Sequence, residues 1–195
     1  MNVMINIFDQ KIAGAAKAIQ QASDRDLSLP NYNEKVFDRF KVMSPKLSLE
    51  QTKVQIKKES ISFRNAPPGI SFSISGNTIV ECAIYSIPVF GDVDLFEIYI
   101  KPYIDRQMTY FENKTLFYRE YSNTQITGND ELIAEIKKHV IQFTDNVNNI
   151  LAQCENEVNE FHNSRLKPRI DEMIRLEIDR RNLKSNSEAK LNPFL

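Results

Sequence analysis

The residues of this sequence best suited to metal chemistry lie in one short acidic stretch. Asp92, Asp94 and Glu97 precede Lys101, and a metal-dependent nuclease needs carboxylates that converge on Mg²⁺ with a lysine nearby. The same residues also fit a solvated turn, at Asp92 and Asp94, beside an edge strand that carries Glu97 and Lys101 on one face. We favour the turn, and a divergent metal-dependent nuclease built on Asp94, Glu97 and Lys101 is kept as an alternative.

Other sequence patterns that accompany catalysis or ligand binding are missing. His139 and His162 are 23 residues apart, and neither has a second His or Cys at ligand spacing, which predicts two solvent-facing helix histidines. Cys82 and Cys154 have no adjacent His, and the five glycines are too scattered for a phosphate-binding loop. We therefore expect no catalytic residues, no metal and no cofactor, and a protein that is not an enzyme.

The composition is ordinary for a globular protein with a hydrophobic core, since 42% of the 195 residues are hydrophobic and 26% are charged. The net charge of −1 argues against a general polyanion binder. No apolar run approaches the roughly 18 residues that span a bilayer, and the first residues lack the basic and apolar segments of a signal peptide. Two isolated cysteines form no disulfide framework. These features predict a cytoplasmic protein without a membrane partner.

One long helix dominates the elements that must position these residues. Apolar residues recur at alternating steps of three and four over residues 133–161, and Glu157 breaks the last repeat. At 1.5 Å per residue the helix would be about 45–50 Å long, so its stripe must pack along its own domain, against a C-terminal partner helix or against another chain. The break slightly favours its own domain over a sustained coiled coil. The predicted contact residues of the stripe are Val140, Phe143, Val147, Ile150 and Phe161.

An arginine-rich second helix follows the long one. Pro168 should end or kink the long helix just before it, so that residues 168–183 form the second arm of a helical hairpin. Arg175, Arg180 and Arg181 could contact phosphates or dock another protein. They could also form a solvated helix face, because acidic residues lie among them at the spacing of intrahelical ion pairs. We keep these three arginines as candidate interaction residues.

The first two thirds of the chain predict helices and then a sheet. Helical spacing or a capping-box pattern predicts helices over residues 3–22, 34–40 and 48–58. Alternating apolar residues and turn signals predict strands over residues 70–75, 78–90, 95–100, 108–111 and 116–121. The predicted fold class is therefore α+β, with an antiparallel β-meander of about five strands packed with N-terminal helices and a long C-terminal helical hairpin. We expect a globular core in residues 1–128, the two helices in 129–184 and a polar tail or linker in 185–195.

Residues 84–96, Ile-Tyr-Ser-Ile-Pro-Val-Phe-Gly-Asp-Val-Asp-Leu-Phe, and then Lys101-Pro102 resemble a pattern in the N-terminal modules of uncharacterised bacterial multidomain proteins. In that pattern a strand ends in Gly-Asp, a Leu-Phe pair follows and a Pro comes soon after. The modules finish with a long Asn-bearing helix, an Arg-rich helix and a Gly-x-Pro-Leu linker. Residues 145–149 and 155–163 are similar to the helix, residues 180–183 to its basic successor and residues 191–194 to the linker, but the linker glycine is missing.

In such proteins an effector domain, for example of the Toll/interleukin-receptor type, often follows the module. The resemblance thus implies the non-catalytic half of a bacterial antiviral defence or conflict system, which senses, oligomerises or docks. With the long apolar stripe, it leads to the hypothesis of a protein-interaction or regulatory module that binds a protein partner or itself. A nucleic-acid-binding accessory protein that uses the basic helices is the alternative from a different class, beside the nuclease.

Overall fold

The structure, a computed structural model, describes residues 2–62, 64, 67, 70–71, 76–103, 105 and 107–192. The helices are α1 (Asn2–Gln21), α2 (Asp24–Leu27), α3 (Tyr32–Phe40), α4 (Val93–Ile100), α5 (Asp130–Phe161) and α6 (Lys167–Leu191). The strands are β1 (Lys46–Leu47), β2 (Lys53–Ser62), β3 (Asn77–Phe90), β4 (Thr109–Glu112) and β5 (Thr115–Ser122). The predicted α+β class, with N-terminal helices, a five-stranded antiparallel sheet and a long C-terminal helix, is confirmed.

The chain forms two compact units. The first unit comprises Met1–Met43 and Asn156–Leu195, and the second comprises Ser44–Glu155. These bounds differ from the predicted division at residues 128 and 184, because α5 begins in the second unit while its last residues belong to the first.

The first unit is built from helices at the two ends of the sequence, with α1, α3 and α6 in mutual contact. The rings of Phe8 and Phe161 stack with their centroids 4.1 Å apart. Gly14 lets α1 approach α3 closely, since a Cβ at this position would lie 2.8 Å from Cε1 of Phe40. The core of this unit therefore joins residues that are more than 100 positions apart in sequence.

The predicted helical hairpin is replaced by a continuous helical backbone. Phe161, Leu166 and Lys167 all have right-handed helical φ and ψ angles, and a π-helical turn, His162–Leu166, joins α5 to α6. Pro168 lies in the first turn of α6, directly after the π-helical turn, so the hydrogen bond that its missing N–H cannot donate is lost where the helix already departs from α-helical pairing. Helix α6 also continues to Leu191, so that residues 185–191 of the predicted polar tail are helical.

In the second unit the strand order is β1-β3-β5-β4. Strand β2 pairs with the same edge of β3 as β1 does, next to β1 along the length of β3. All the pairings are antiparallel. The turn between β4 and β5 has positive φ at Asn113 and Lys114, as a two-residue hairpin of this kind requires. The predicted strand over residues 70–75 falls mostly outside the described residues, because residues 72–75 are not among them.

The predicted helix over residues 48–58 is wrong, because this segment forms a short 3₁₀ turn and then β2. The hydroxyl of Ser48 donates to the carboxylate of Glu50 at 2.6 Å and does not cap the turn. Val54 and Ile56 then alternate with polar residues at a period of two, which suits a strand at a sheet edge. The capping-box pattern was therefore a weaker signal than the alternation that follows it.

The predicted strand over residues 95–100 is also wrong, since these residues form α4. Leu95, Phe96 and Ile100 are buried together, and their spacing is that of one helix face. Glu97 and Lys101 therefore lie one helical turn apart rather than on one face of a strand. The nuclease alternative stays a prediction.

The long helix packs on the sheet of its own chain. It begins as predicted, with the Asn129 side chain accepting a hydrogen bond from the Leu132 N–H at 3.1 Å. Buried residues of α5 are Ile136, Val140, Thr144, Val147, Leu151 and Cys154 in the second unit, and Val158 and Phe161 in the first. Thr144 and Leu151 are thus the buried residues at the two positions of the stripe for which Phe143 and Ile150 were predicted, and these two are half-buried. Because Val158 occupies the last repeat, the break predicted at Glu157 does not exist in the buried seam.

Candidate functional site

The longest accessible strand edge among the described residues belongs to β2. This strand pairs with β3 over ten residues, and no other described strand pairs with it. Residues 53–58 are all exposed, including Val54 (51% exposed) and Ile56 (44%). An edge strand of this length offers its backbone as a template for another strand.

The direction of the β3 backbone follows from two hydrogen bonds. The Val89 N–H donates to the Lys114 C=O at 2.8 Å, on the side of β5. The Pro88 C=O accepts from the Ser48 N–H at 2.9 Å, on the side of β1 and β2. Since the backbone groups of successive residues alternate in direction, even-numbered residues of β3 direct their N–H and C=O groups toward β2.

The same alternation fixes which groups of β2 are free. Ile84 faces β2 and lies directly opposite Gln55, so that Gln55 forms ladder bonds with β3. Val54, Ile56 and Lys58 consequently direct their N–H and C=O groups away from the sheet. The side chains of these three residues also share one face, because the side-chain period of a strand is two.

The other face of the sheet carries the Arg119 cluster, which consists of the half-buried residues Glu59, Tyr110, Phe117, Arg119 and Tyr121. The Tyr110 and Phe117 rings stack at 4.5 Å, and the Arg119 guanidinium lies 4.7 Å from the centroid of Tyr110. Arg119 donates to the Tyr121 hydroxyl at 3.2 Å, and this hydroxyl donates to Glu59 at 3.4 Å. The chain of contacts connects β4 and β5 to the edge strand β2. Within the described part of the chain, Nε of Arg119 is buried without a hydrogen-bond partner.

Cys82 lies below this cluster and is fully buried. Burial, followed by the nearby Glu59 carboxylate, raises the pKa of the Cys82 thiol to about 12. Because the thiolate is the reactive form of cysteine, the thiol of Cys82 is inert at neutral pH.

The two histidines occupy different environments. His139 lies 2.9 Å from a carboxylate oxygen of Glu120, whose other oxygen accepts from the Tyr118 hydroxyl at 2.5 Å. His162 is half-buried rather than solvent-facing, and its Nε2 accepts the Val42 N–H at 3.1 Å. Burial lowers the pKa of His162, so the ring is neutral when it accepts this bond. Over the described residues, no three His, Cys, Asp or Glu side chains come together in a way that could hold a metal ion.

The interaction residues predicted on the long stripe lie inside the protein. Val140, Val147 and Phe161 are buried, and Phe143 and Ile150 are half-buried and packed against the core of the second unit. Their assignment as contact residues stays a prediction, but in the folded chain these side chains already contact their own protein. Sequence reasoning missed the edge of β2. The alternation of Val54 and Ile56 with Gln55 and Lys57 could have indicated a strand there, although not a free edge.

The three candidate arginines of α6 differ in what they contact. Arg175 is exposed. Arg180 donates from Nε and Nη2 to the buried Glu177 at 2.9 and 2.7 Å. Arg181 donates to Glu177 at 2.7 Å and to Asp24 at 2.6 Å, and its Nη2 donates to the Ala22 C=O at 2.8 Å. Arg181 thus ties α6 to the end of α1 and the start of α2, whereas Arg175 and Arg180 are both exposed.

The arrangement around Glu177 predicts an acid-dependent contribution to stability. Hydrogen bonds from Arg180 and then Arg181 lower the pKa of Glu177 to about 2. A lowered pKa in the folded state stabilises the protein above the ordinary value near 4.5, and this contribution disappears as the pH falls from there toward 2. Urea-denaturation midpoints of the natural protein and Glu177→Gln should therefore differ at pH 7 and converge between about pH 4.5 and 2.

The matched control is Glu172→Gln, on the same helix, which removes a carboxylate that is exposed and paired with Arg169. Exposed ion pairs contribute little to stability, so we expect a smaller change at pH 7. A Glu177→Gln midpoint that stays at a constant distance from the natural protein at every pH would contradict the prediction.

Comparisons with models of known protein families, with curated proteins and with solved structures found no match for this chain. Among the helices that the structure describes, none has both the length and the apolar character needed to cross a membrane.

Proposed function

We propose that this chain is a non-catalytic protein-interaction and oligomerisation module, and that the edge of β2 is its contact element. The single observation that supports this function best is the exposure of residues 53–58 with their outward backbone groups and two apolar side chains. An edge strand with exposed Val and Ile is a liability in a protein that works alone, whereas it suits a protein that accepts a strand from a partner.

The setting that we propose is the cytoplasm of a bacterium, in a regulatory part of an antiviral defence-type system. This setting rests on the resemblance of residues 84–102 and of the two C-terminal helices to the N-terminal modules of bacterial multidomain proteins. The argument from the edge of β2 does not use that resemblance. The interaction function and its bacterial setting are therefore two independent proposals.

The test compares two exposed isoleucines. Ile56 lies on the edge of β2 and Ile141 lies on α5, and both are more than 40% exposed. The tagged chain and its Ile56→Lys and Ile141→Lys variants are purified gently from the same cells and examined by native mass spectrometry. We expect a stoichiometric complex, either with a partner or with a second copy, that Ile56→Lys removes and Ile141→Lys retains. Absence of any such complex, or its equal loss in both variants, would refute the proposed function.

A further inference from the structure

We infer that the strand that pairs with β2 is β2 of a second copy of this chain, antiparallel and related by a two-fold axis at Ile56. The inference rests on the proposed function, because it names the occupant of the same edge. Identical chains that pair through one surface do so about a two-fold axis, and two copies of one strand meet about such an axis only in the antiparallel direction.

The backbone of β2 suits this axis. Val54, Ile56 and Lys58 direct their N–H and C=O groups outward, as the hydrogen bonds of Val89 and Pro88 establish. With the axis at Ile56, each Ile56 exchanges two hydrogen bonds with its copy, and each Val54 does the same with Lys58 of the second copy. Every outward group of the central five residues is then paired.

Charge complementarity selects this register over its neighbours. The axis at Ile56 places Lys53 opposite Glu59 of the second copy, twice, and Gln55 opposite Lys57. Opposite charges in directly facing positions stabilise a sheet, and like charges destabilise it. An axis one residue earlier would place Lys53 opposite Lys57, and an axis at Lys57 or Lys58 would place that lysine opposite itself.

Apolar contacts point to the same register. Ile56 meets Ile56 of the second copy across the axis, on the face that also carries the exposed Val54. Lysines at a sheet edge normally discourage pairing with other strands. In this register Lys53 faces Glu59, Lys57 faces Gln55 and Lys58 faces Val54, so that no lysine lies opposite another lysine.

The experiment uses the purified full chain in analytical ultracentrifugation over micromolar concentrations, because a strand pairing alone buries less area than a standard protein interface. We expect a monomer–dimer equilibrium for the natural chain. Lys53→Glu and Glu59→Lys should each raise the dissociation constant roughly tenfold, since each creates two like-charge pairs. An equimolar mixture of these two variants should restore dimers, because both pairs become complementary in the mixed dimer.

Lys57→Glu is the matched control, because it changes the charge equally but faces Gln55 and creates no like-charge pair. It should weaken the dimer by less than twofold. A dimer that Lys53→Glu leaves intact, or that Lys57→Glu disrupts as strongly, would refute the register. Should Glu59→Lys fail to fold, Ile56→Pro serves instead, since the Ile56 N–H points away from β3 and its loss leaves the ladder with β3 intact. Ile56→Pro should abolish the dimer.

Failure of this inference is distinguishable from failure of the proposed function. A natural chain that remains monomeric at every concentration would overturn self-pairing. If gently purified material then still contained a complex that Ile56→Lys removes, the edge would bind a different protein, and the proposed function would stand without a second copy.

Discussion

Replacement of Phe96 by alanine is expected to lower the free energy of unfolding by about 3–5 kcal/mol, the usual cost of removing a fully buried phenylalanine. Phe96 has no exposed surface, and its ring lies 4.8 Å from that of Phe111. It packs in the cluster that joins α4, the sheet and α5, which includes Ile87, Leu116 and Val147. Because these neighbours come from three different elements, the cavity cannot close by a small shift of one of them.

Phe90→Ala is the control for Phe96→Ala, since the chemical change is the same but Phe90 is 56% exposed at the end of β3. We expect it to cost about 1 kcal/mol or less. Both variants are measured by urea denaturation with far-UV circular dichroism. Equal losses in the two variants would show that burial at α4 does not determine the stability of the second unit.

Phe161→Ala should have a similarly large effect in the first unit, about 3–5 kcal/mol. Phe161 is buried, and its ring stacks on Phe8 at 4.1 Å with an angle of only 4° between the planes. A double-mutant cycle with Phe8→Ala should give a coupling of about 0.5–1.5 kcal/mol beyond additivity. The measurement is again the denaturation midpoint of the four chains.

This cycle also tests the assignment of Phe161 as a contact residue for another chain. If Phe161→Ala left the free energy of unfolding unchanged and altered only association, Phe161 would be an interface residue, as its place on the heptad stripe suggested. Loss of stability without a change in the monomer–dimer equilibrium would make it a core residue.

The fold was predictable where a pattern was long. Over the long helix the heptad spacing of residues 133–161 correctly indicated α5, which begins at Asp130, close to the predicted boundary at residue 129. The choice of seam residues was less accurate, because Thr144 is polar by type. Its hydroxyl donates to the Ile141 C=O at 2.9 Å, which satisfies the hydroxyl within the helix and permits burial.

Short segments gave less information, because one pattern fits two structures. Leu95, Phe96 and Ile100 fit a strand by composition, and only their burial on one side identifies a helix. In the segment before β2 a helix was predicted where a strand follows. Ser48 and Gln51 have the spacing of a helix start, but the helical turn that they flank is only one turn long. The structure of such segments is determined by tertiary packing, which local sequence rules do not include.

The candidate site was hidden for a different physical reason. Whether the edge of β2 is free depends on which strands lie beside it, and the sequence of one strand does not determine its partner. The Arg119 cluster likewise joins Glu59 to Tyr121, which are 62 positions apart. Even with the strands known, the outward direction of the Ile56 backbone required the hydrogen bonds of β3.

The order in which the two units occur along the chain has a consequence for synthesis on the ribosome. The first unit needs residues from both sides of the second, which occupies Ser44–Glu155. Domains generally fold as units while the chain emerges at about 5–20 residues per second. The second unit can thus be complete while α1 and α3 still lack α6, an interval of about 2–7 seconds for the 36 residues from Asn156 to Leu191. During that time α1 and α3 lack their contacts with α6, so the core of the first unit cannot be completed until α6 has been synthesised.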